Sequence, residues 1–187
     1  GRLLPAGFLR EPVTGLRRAH AVVLTRCDQV AEEGLQQLED QIRGVNRDLV
    51  VVRSVHAPIG IRTVDGAEIS LEQVRGQRVF AFCGIGNPAA FCATVERLGT
   101  VPAGWRAYDD HHPYGSSDWD SLRREATAKG ATLILTTQKD GTKIARWANS
   151  EEGPSLACLA IELQLTAGAD GLTALLERLV AGIMPCR

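Results

Sequence analysis

The sequence predicts a layered α/β/α protein built on a mainly parallel sheet. Unbroken apolar runs of strand length recur along the chain, as in AVVLT (21–25), LVVV (49–52) and VFAFC (79–83). Such runs are typical of strands that are covered on both faces. Segments of helical periodicity separate them, and this alternation implies parallel strands joined by crossover helices.

Composition narrows the class of protein and of partner. The chain has 187 residues, of which 44% are hydrophobic and 23% charged, as in ordinary globular domains. This length holds one domain or two small ones. A net charge of −1, with no basic face, argues against nucleic acid as the main partner. No apolar run approaches the ~20 residues of a membrane span.

Five cysteines are scattered along the chain without a C-x-x-C pair, at positions 27, 83, 92, 158 and 186. Three of them fall inside apolar periodic segments, so we expect reduced core thiols, which suits the cytoplasm. The sequence begins at Gly1, with neither Met nor a signal peptide, and we expect it to be a fragment of a longer protein.

The first fifty residues predict a loop followed by a β-α-β unit. Pro5, Gly7 and Pro12 exclude a regular element from the start of the chain. The prominent cation of this loop is Arg10. The first strand is followed by a helix that Asp28 can cap, and then by the second strand. This helix carries an apolar stripe at Leu35, Leu38, Ile42 and Val45.

A β-hairpin is predicted between residues 59 and 69. Asp65-Gly66 stands there between short alternating runs, which is the strongest short-range hairpin signal. The hairpin is either a linker between two α/β domains or an excursion at the edge of a single sheet, and the residues fit both interpretations.

The centre of the chain concentrates polar residues at the ends of strands. The strand at 79–83 runs into GIGNP (84–88), where two glycines permit a sharp turn, Asn87 can cap a helix and Pro88 can begin it. The next strand delivers DDHH (109–112). Because the carboxyl ends of parallel strands share one edge of an open α/β sheet, we expect both turns at the ligand-binding edge. The helix between them is amphipathic through Phe91, Val95 and Leu98, and Gly99 closes it.

The last third of the chain continues the alternation. Ser116 and Ser117 are expected to cap a helix over residues 118–129. The strand at 132–137 leads into QKDGTK (138–143), which we interpret as a polar turn that precedes a short helix. The remaining expected elements are that short helix at 142–147, a long apolar strand at 156–165 and a strongly periodic helix at 171–183.

The turn after the strand at 79–83 matches a dinucleotide fingerprint in outline. The motif G-x-G-x-x-A at 84–89 follows a strand and opens a helix, and two aspartates follow about 20 residues later, at 109–110. Such a loop can hold a pyrophosphate on helix N–H groups, but Pro88 removes one of those donors. A tight strand-to-helix turn explains the same residues.

Two further clusters are candidates for chemistry. At 109–112, an acid beside an imidazole can fix the tautomer and raise the basicity of a histidine, as acid–base catalysis requires. A structural imidazole bonded to the backbone fits equally well, and no other histidine supplies metal-ligand spacing. Lys139 and Lys143 flank Asp140 at a strand end, where they either bind phosphate or form a solvated helix start. The 187 residues contain no G-x-x-x-x-G-K-[ST] motif, so this chain carries no P-loop.

Four stretches, taken together and in order, resemble one protein family. They are LPAGFLREP (4–12), FCGIGNP (82–88), DHHPY (110–114) and TTQKDGTK (136–143). Their order and spacing, across nearly the whole chain, are similar to those of the C-terminal part of tetraacyldisaccharide 4'-kinase, the lipid A biosynthesis kinase of Gram-negative bacteria.

The resemblance implies a P-loop kinase that transfers the γ-phosphate of ATP to the 4'-hydroxyl of a tetraacyldisaccharide 1-phosphate, with ATP and Mg²⁺ as cofactors. In the family, the P-loop, the Mg²⁺ ligands and the catalytic aspartate lie upstream of the first motif matched here. The 187 residues alone are therefore expected to be inactive. The resemblance also implies a full-length enzyme in the cytoplasm, peripheral to the inner membrane.

The family's two-domain architecture implies boundaries in this chain. Residues 1–56 would be the C-terminal part of the kinase core, residues 57–76 a β-hairpin linker, and residues 77–187 a smaller, Rossmann-like C-terminal α/β domain.

The resemblance also assigns individual residues. His111 matches the family's histidine that pairs with the catalytic aspartate of the other domain, and Arg10 matches the arginine of a P-A-G-P-L-R-E motif close to the ATP phosphates. No residue of the chain is assigned to a metal. Residues expected only to line the cleft between the domains are Gly84, Gly86, Asn87, Asp110, Lys139 and Asp140.

The chain departs from the family pattern at a few positions. Phe8 stands where the family usually has Pro, and Gln138 replaces a common Glu. Gly141-Thr142 replace a common Ala-Val. Two other functions fit the residues taken without the resemblance: a free-standing dinucleotide-binding Rossmann-like protein that uses the turn at 84–89, and a non-catalytic α/β interaction module.

Overall fold

The computed structural model describes residues 2–148 and 153–183. Strands and helices alternate along most of this part of the chain, apart from three consecutive strands between residues 50 and 83. The strands are β1 (Ala21–Leu24), β2 (Val50–Thr63), β3 (Glu68–Ile69), β4 (Arg78–Cys83), β5 (Val101–Ala107), β6 (Leu133–Thr137) and β7 (Ser155–Ala167). The α-helices are α1 (Glu32–Val45), α2 (Pro88–Arg97), α3 (Ser116–Ala128), α4 (Gln138–Ile144) and α5 (Ala169–Ile183).

Pairing of these strands is mainly parallel, which confirms the expected α/β class. β1 pairs with β2, β4 with both β5 and β6, and β6 with β7, each in parallel. The antiparallel pair of β2 with β3 is the predicted hairpin. In its turn, Gly66 has φ +92° and the Thr63 N–H donates to the carbonyl of Ala67 at 2.9 Å.

The chain divides into two compact units, one formed by Gly1–Ala57 with Leu163–Arg187 and the other by Pro58–Glu162. In the first unit, Arg53 of β2 ties α1 to the strand, because its guanidinium donates to Glu32 at 2.8 Å and also bonds the buried Glu39. No helix among the described residues combines the length and the apolarity that crossing a bilayer requires.

In the second unit the strand order is β3-β2-β7-β6-β4-β5, and helices cover both faces. Alternate residues of β4 point to opposite faces, as the period of a strand requires. One buried cluster contains Val79, Ala81 and Cys83 of β4 with Phe91, Val95 and Leu98 of α2. The other contains Phe80 and Phe82 of β4 with Trp119, Leu122 and Ala126 of α3. The predicted inner face of α2 and the three-layer arrangement are therefore confirmed, and α3 covers the other face of the sheet.

Several helix starts differ from the sequence prediction. α1 begins at Glu32 with Ala31 as its N-cap, whereas Asp28 lies in a 3₁₀ turn before it. α3 begins at Ser116 with Gly115 as its N-cap, so the two serines lie inside its first turn. The N–H of Gly115 donates to the Asp118 carboxylate at 2.8 Å. The carboxylate of Asp118, in the first turn of α3, thus satisfies the N–H of the N-cap residue.

The predicted polar turn at 138–143 is wrong, because these residues form α4. Thr137 caps the helix, since its hydroxyl accepts from the N–H of Asp140 at 3.1 Å. The expected short helix at 142–147 therefore begins four residues earlier, and a 3₁₀ turn at Ala145–Trp147 ends it. The cysteines at 27, 83, 92 and 158 are free thiols, while Cys186 lies outside the described residues.

Candidate functional site

Three strand ends meet at one edge of the sheet in the second unit. β4 ends at Gly84, β5 leads to the loop of residues 109–112, and β6 leads into α4. Since β4 is parallel to both neighbours, their carboxyl ends lie side by side. The N–H of His111 donates to the carbonyl of Gly84 at 3.3 Å, and the N–H of Gly84 donates to Asp140 Oδ2 at 2.9 Å. The expectation that the two turns at 84–88 and 109–112 share an edge is confirmed, and the start of α4 lies beside them.

Asp140 is the buried carboxylate at the centre of this edge. Its side chain is fully inaccessible to solvent. Oδ2 accepts the Gly84 N–H and also the Thr137 hydroxyl, at 2.7 Å. Oδ1 has no hydrogen-bond partner, and neither has the buried hydroxyl of Tyr114. Burial, followed by the nearby charge of Asp140, raises the pKa of Tyr114 far above its usual range.

Gly84 is glycine because other groups approach its backbone closely. A Cβ at this position would lie 2.8 Å from the hydroxyl of Tyr114, 3.1 Å from the carbonyl oxygen of Asp109 and 3.3 Å from Asp140 Oδ1. Its amide is already bonded to Asp140, so that donor is not free for a pyrophosphate. The geometry favours a tight strand-to-helix turn over a dinucleotide cradle.

The rest of the glycine turn opens α2 as predicted. The side chain of Asn87 caps the helix by accepting from the N–H of Ala90 at 3.2 Å, and Pro88 is the first helical residue. A Cβ on Gly86 would make only an ordinary contact, 3.7 Å from Asp110 Oδ2. Gly86 therefore lies beside the 109–112 loop without a steric requirement for glycine.

His111 is presented to solvent from a left-handed backbone. Its φ is +65° and its side chain is 75% exposed. Nε2 lies 3.8 Å from Asp110 Oδ2, which is beyond hydrogen-bond distance. Asp110 instead accepts from Lys139 Nζ at 3.0 Å, and this bond lowers the pKa of the Asp110 carboxyl. The imidazole of His111 is therefore accessible to solvent.

His112 faces the opposite way and serves the fold. Its ring lies 4.5 Å from the ring of Tyr108 and 4.9 Å from that of Tyr114, centroid to centroid. Its Nε2 lies 3.3 Å from Asp118 Oδ2. Lys143 Nζ donates to the His112 carbonyl at 3.3 Å. Both lysines that the sequence suggested for phosphate binding thus contact the 109–112 loop.

Arg10, in the first unit, is exposed in the N-terminal loop. Leu3 and Leu9 bridge across that loop, and the next residue, Glu11, pairs with Arg18. No group of three or more His, Cys, Asp or Glu side chains in residues 2–148 and 153–183 is arranged to hold a metal ion.

The sequence analysis did not predict a role for two residues at this edge, Thr137 and Tyr114. Thr137 carried a usable signal, since Thr137-x-x-Asp140 has the spacing of a capping box. Tyr114 carried no local signal, because its approach to Gly84 joins segments thirty residues apart.

Comparison with known proteins gives a consistent result. The sequence model of the LpxK family, described as Tetraacyldisaccharide-1-P 4'-kinase, matches residues 1–181. A tetraacyldisaccharide 4'-kinase from Anaeromyxobacter dehalogenans (strain 2CP-C) is 38% identical over 182 residues, which cover 94% of this chain and 47% of that protein. The tetraacyldisaccharide 4'-kinase of Halothermothrix orenii is 32% identical over 156 residues, which cover 78% of this chain and 41% of that protein.

A solved structure shares the fold. The chain matches the crystal structure of LpxK from Aquifex aeolicus, described as an "apo" form in complex with ATP, with a TM-score of 0.59 and 24% identity. The match covers 95% of this chain and 48% of that one, so the chain spans about half the length of the relatives it matches. The family match over residues 1–181 and the relatives above 30% identity place the chain in a family: it belongs to the tetraacyldisaccharide-1-P 4'-kinase family.

Proposed function

We propose that this chain forms part of an ATP-dependent lipid kinase that phosphorylates the 4'-hydroxyl of tetraacyldisaccharide 1-phosphate. Family membership supports the reaction class. The chain spans about half of its relatives' length, so we propose that it acts together with an ATP-binding loop that these 187 residues do not contain.

The presentation of His111 carries the proposal. This imidazole occupies the D-H-H-P-Y motif and is 75% exposed at the carboxyl edge of parallel strands. Its neighbours in the loop are bonded to α4: Asp110 accepts a hydrogen bond from Lys139, and the His112 carbonyl accepts one from Lys143. A loop that is bonded through its neighbours and exposes one imidazole suits a group that must meet a reaction partner supplied by another part of the enzyme.

In the proposed reaction, His111 assists an aspartate that lies outside this sequence. That carboxylate takes the proton of the 4'-hydroxyl as the oxygen bonds to the γ-phosphorus, and the bond from the γ-phosphorus to the bridging oxygen breaks to release ADP. Donation from the imidazole to the carboxylate would fix the carboxylate's orientation in the transition state. Arg10 is proposed to lie near the phosphates of ATP.

ATP and Mg²⁺ are the proposed cofactors, and Mg²⁺ would neutralise charge on the transferred phosphate. The described residues offer no metal-binding cluster, so we propose that its ligands lie outside them. The acyl chains of the substrate reside in a bilayer, so we propose that the protein works in the cytoplasm, at the surface of the inner membrane.

The test is transfer of radiolabelled phosphate from ATP to tetraacyldisaccharide 1-phosphate. A family-length protein that carries this chain should catalyse it, and His111→Ala should lower kcat by ~10²-fold or more with little change in either KM. His20→Ala, the same change at another exposed histidine, is the matched control. The 187 residues alone should show no transfer.

Three results would contradict the proposal. Turnover near ~1 s⁻¹ by the 187 residues alone would place the ATP site within them. An unchanged kcat in His111→Ala would remove the proposed role of this imidazole. A large loss of kcat in a folded His112→Ala protein, together with a small loss in His111→Ala, would assign the proposed role to His112 instead.

A further inference from the structure

Helix α4 holds the histidine loop at three successive residues. Lys139 donates to the side chain of Asp110 at 3.0 Å, and Lys143 donates to the carbonyl of His112 at 3.3 Å. The residue between them, His111, is reached indirectly through Gly84. Residues 139, 140 and 143 lie on one side of the helix, because positions three and four apart in a helix are neighbours.

The link to His111 runs through both sides of the Gly84 backbone. Its carbonyl accepts the N–H of His111 at 3.3 Å, and its N–H donates to Asp140 Oδ2 at 2.9 Å. A side chain at this position would meet the Tyr114 hydroxyl and the Asp109 carbonyl oxygen, so the backbone of Gly84 can lie close to both segments only because it has no Cβ. The position of the His111 backbone at the sheet edge therefore depends on where Asp140 holds Gly84.

Asp140 is itself fixed from its own helix. Thr137 donates its hydroxyl to Asp140 Oδ2 at 2.7 Å and accepts the Asp140 N–H at 3.1 Å. With no exposed surface, the carboxylate cannot contact a substrate directly. It can act only through the groups bonded to it.

We propose that Asp140 is a positioning residue for the kinase reaction, which holds His111 in its reactive place through the peptide groups of Gly84. This rests on the proposed role of His111. Loss of the carboxylate would leave the buried Gly84 N–H without an acceptor and free the turn to shift. A displacement of the order of 1 Å at a catalytic group costs up to ~10²-fold in rate.

The experiment compares Asp140→Ala and Asp140→Asn in the family-length protein. Asp140→Ala should lower kcat by ~10- to 100-fold and leave KM for both substrates nearly unchanged. Asp140→Asn should retain kcat within about threefold, because an amide oxygen can still accept both bonds. Glu39→Ala, which removes another buried acid in the other unit, should reduce stability without this loss of kcat.

A double variant and a structural readout separate positioning from general damage. If Asp140 acts through His111, the variant H111A/D140A should be no slower than His111→Ala alone, within about threefold. Hydrogen exchange at the Gly84 amide should accelerate by ~10-fold or more in Asp140→Ala and stay slow in Asp140→Asn.

Four outcomes would overturn the inference. The first is a folded Asp140→Ala with unchanged kcat, and the second is a double variant whose losses multiply. The third is slow exchange at Gly84 in Asp140→Ala. The fourth, decisive even if Asp140→Ala does not fold, is an Asp140→Asn protein with a protected Gly84 amide and a large loss of kcat. An unchanged kcat in His111→Ala would instead refute the proposed function. The hydrogen-exchange rate at Gly84 would still test the bond between Asp140 and the Gly84 N–H.

Discussion

Gly141, inside α4, is predicted to be held as glycine by a single neighbour, Cys158 of β7. A Cβ at Gly141 would lie 2.1 Å from Cys158 Sγ, whereas its next contacts are at 3.6 Å. Ordinary contact distances between such atoms are about 3.5–4 Å. Gly141→Ala therefore requires the thiol of the half-buried Cys158 to move by about 1.5 Å or to change rotamer. The resemblance to the family leads one to expect alanine here, so this pair explains a departure of the chain from the family pattern.

The expected magnitude follows from two opposing effects. Glycine to alanine inside a helix favours folding by about 1 kcal/mol, and overpacking a filled space opposes it by about 1–3 kcal/mol. The difference of the two effects is a loss of up to about 2 kcal/mol in the free energy of unfolding for Gly141→Ala. Cys158→Ala removes the clashing atom, so G141A/C158A should be more stable than Gly141→Ala despite carrying one more truncation. The coupling energy of the pair should be about 2 kcal/mol.

Urea unfolding measures this cycle. All three tryptophans of the chain lie in the second unit, so their fluorescence reports on the unit that contains both positions. Gly44→Ala in α1 is the matched control followed by circular dichroism, since a Cβ there meets nothing within 4 Å and the variant should gain up to about 1 kcal/mol. A Gly141→Ala protein more stable than the parent, or a double variant less stable than Gly141→Ala, would refute the reasoning.

Three further predictions concern the sheet edge. His112→Ala should lower the free energy of unfolding by about 1–3 kcal/mol, because the ring of His112 packs between two tyrosines. His111→Ala should change the free energy of unfolding by less than about 1 kcal/mol. Comparable urea midpoints for the two variants would contradict this prediction. Gly84→Ala should lower the free energy of unfolding by about 1–3 kcal/mol. Tyr114→Phe should restore part of this loss, because it removes an oxygen 2.8 Å from the new Cβ. If Tyr114→Phe restores nothing, the clash lies with the backbone instead. Burial raises the pKa of the Cys83 thiol from 9.0 to about 12, so any stability that the neutral thiol contributes is full below about pH 9 and is lost as pH rises towards 12. At pH 8, iodoacetamide should label Cys83 roughly 10³-fold more slowly than a free thiol. Equal labelling rates in the folded and the urea-unfolded protein would contradict this prediction.

The layered fold was predictable because it follows from local patterns. Apolar runs of strand length alternated with amphipathic segments, and the parallel pairing of β4 with β5 and β6 followed from that alternation. The hairpin was predictable because Asp65-Gly66 fits few other turns. The shared edge of Gly84 and His111 followed from topology alone, since parallel strands end on the same side.

The start of α4 was placed wrongly for a different reason. QKDGTK has polar, glycine-containing composition and suggested a turn, whereas the helix depends on the Thr137–Asp140 cap and on burial of Gly141 and Ile144. Burial of a carboxylate depends on long-range contacts, and Gly84 lies 56 residues from Asp140. Sequence placed Lys139 and Asp140 near the site but could not distinguish a group that faces a ligand from one that supports its neighbour.

The strain at His111 indicates why that support is needed. A left-handed backbone costs about 1–2 kcal/mol in a residue that has a Cβ, and His111 has φ +65°. Hydrogen bonds contribute about 1 kcal/mol each, so the bond from His111 to Gly84 and the bond from Lys143 to the His112 carbonyl together offset the strain. These two bonds tie the loop to Gly84 and to α4. An exposed imidazole that is already oriented loses little conformational entropy when a partner reaches it. The same contacts that make the left-handed conformation stable therefore prepare His111 for the proposed reaction.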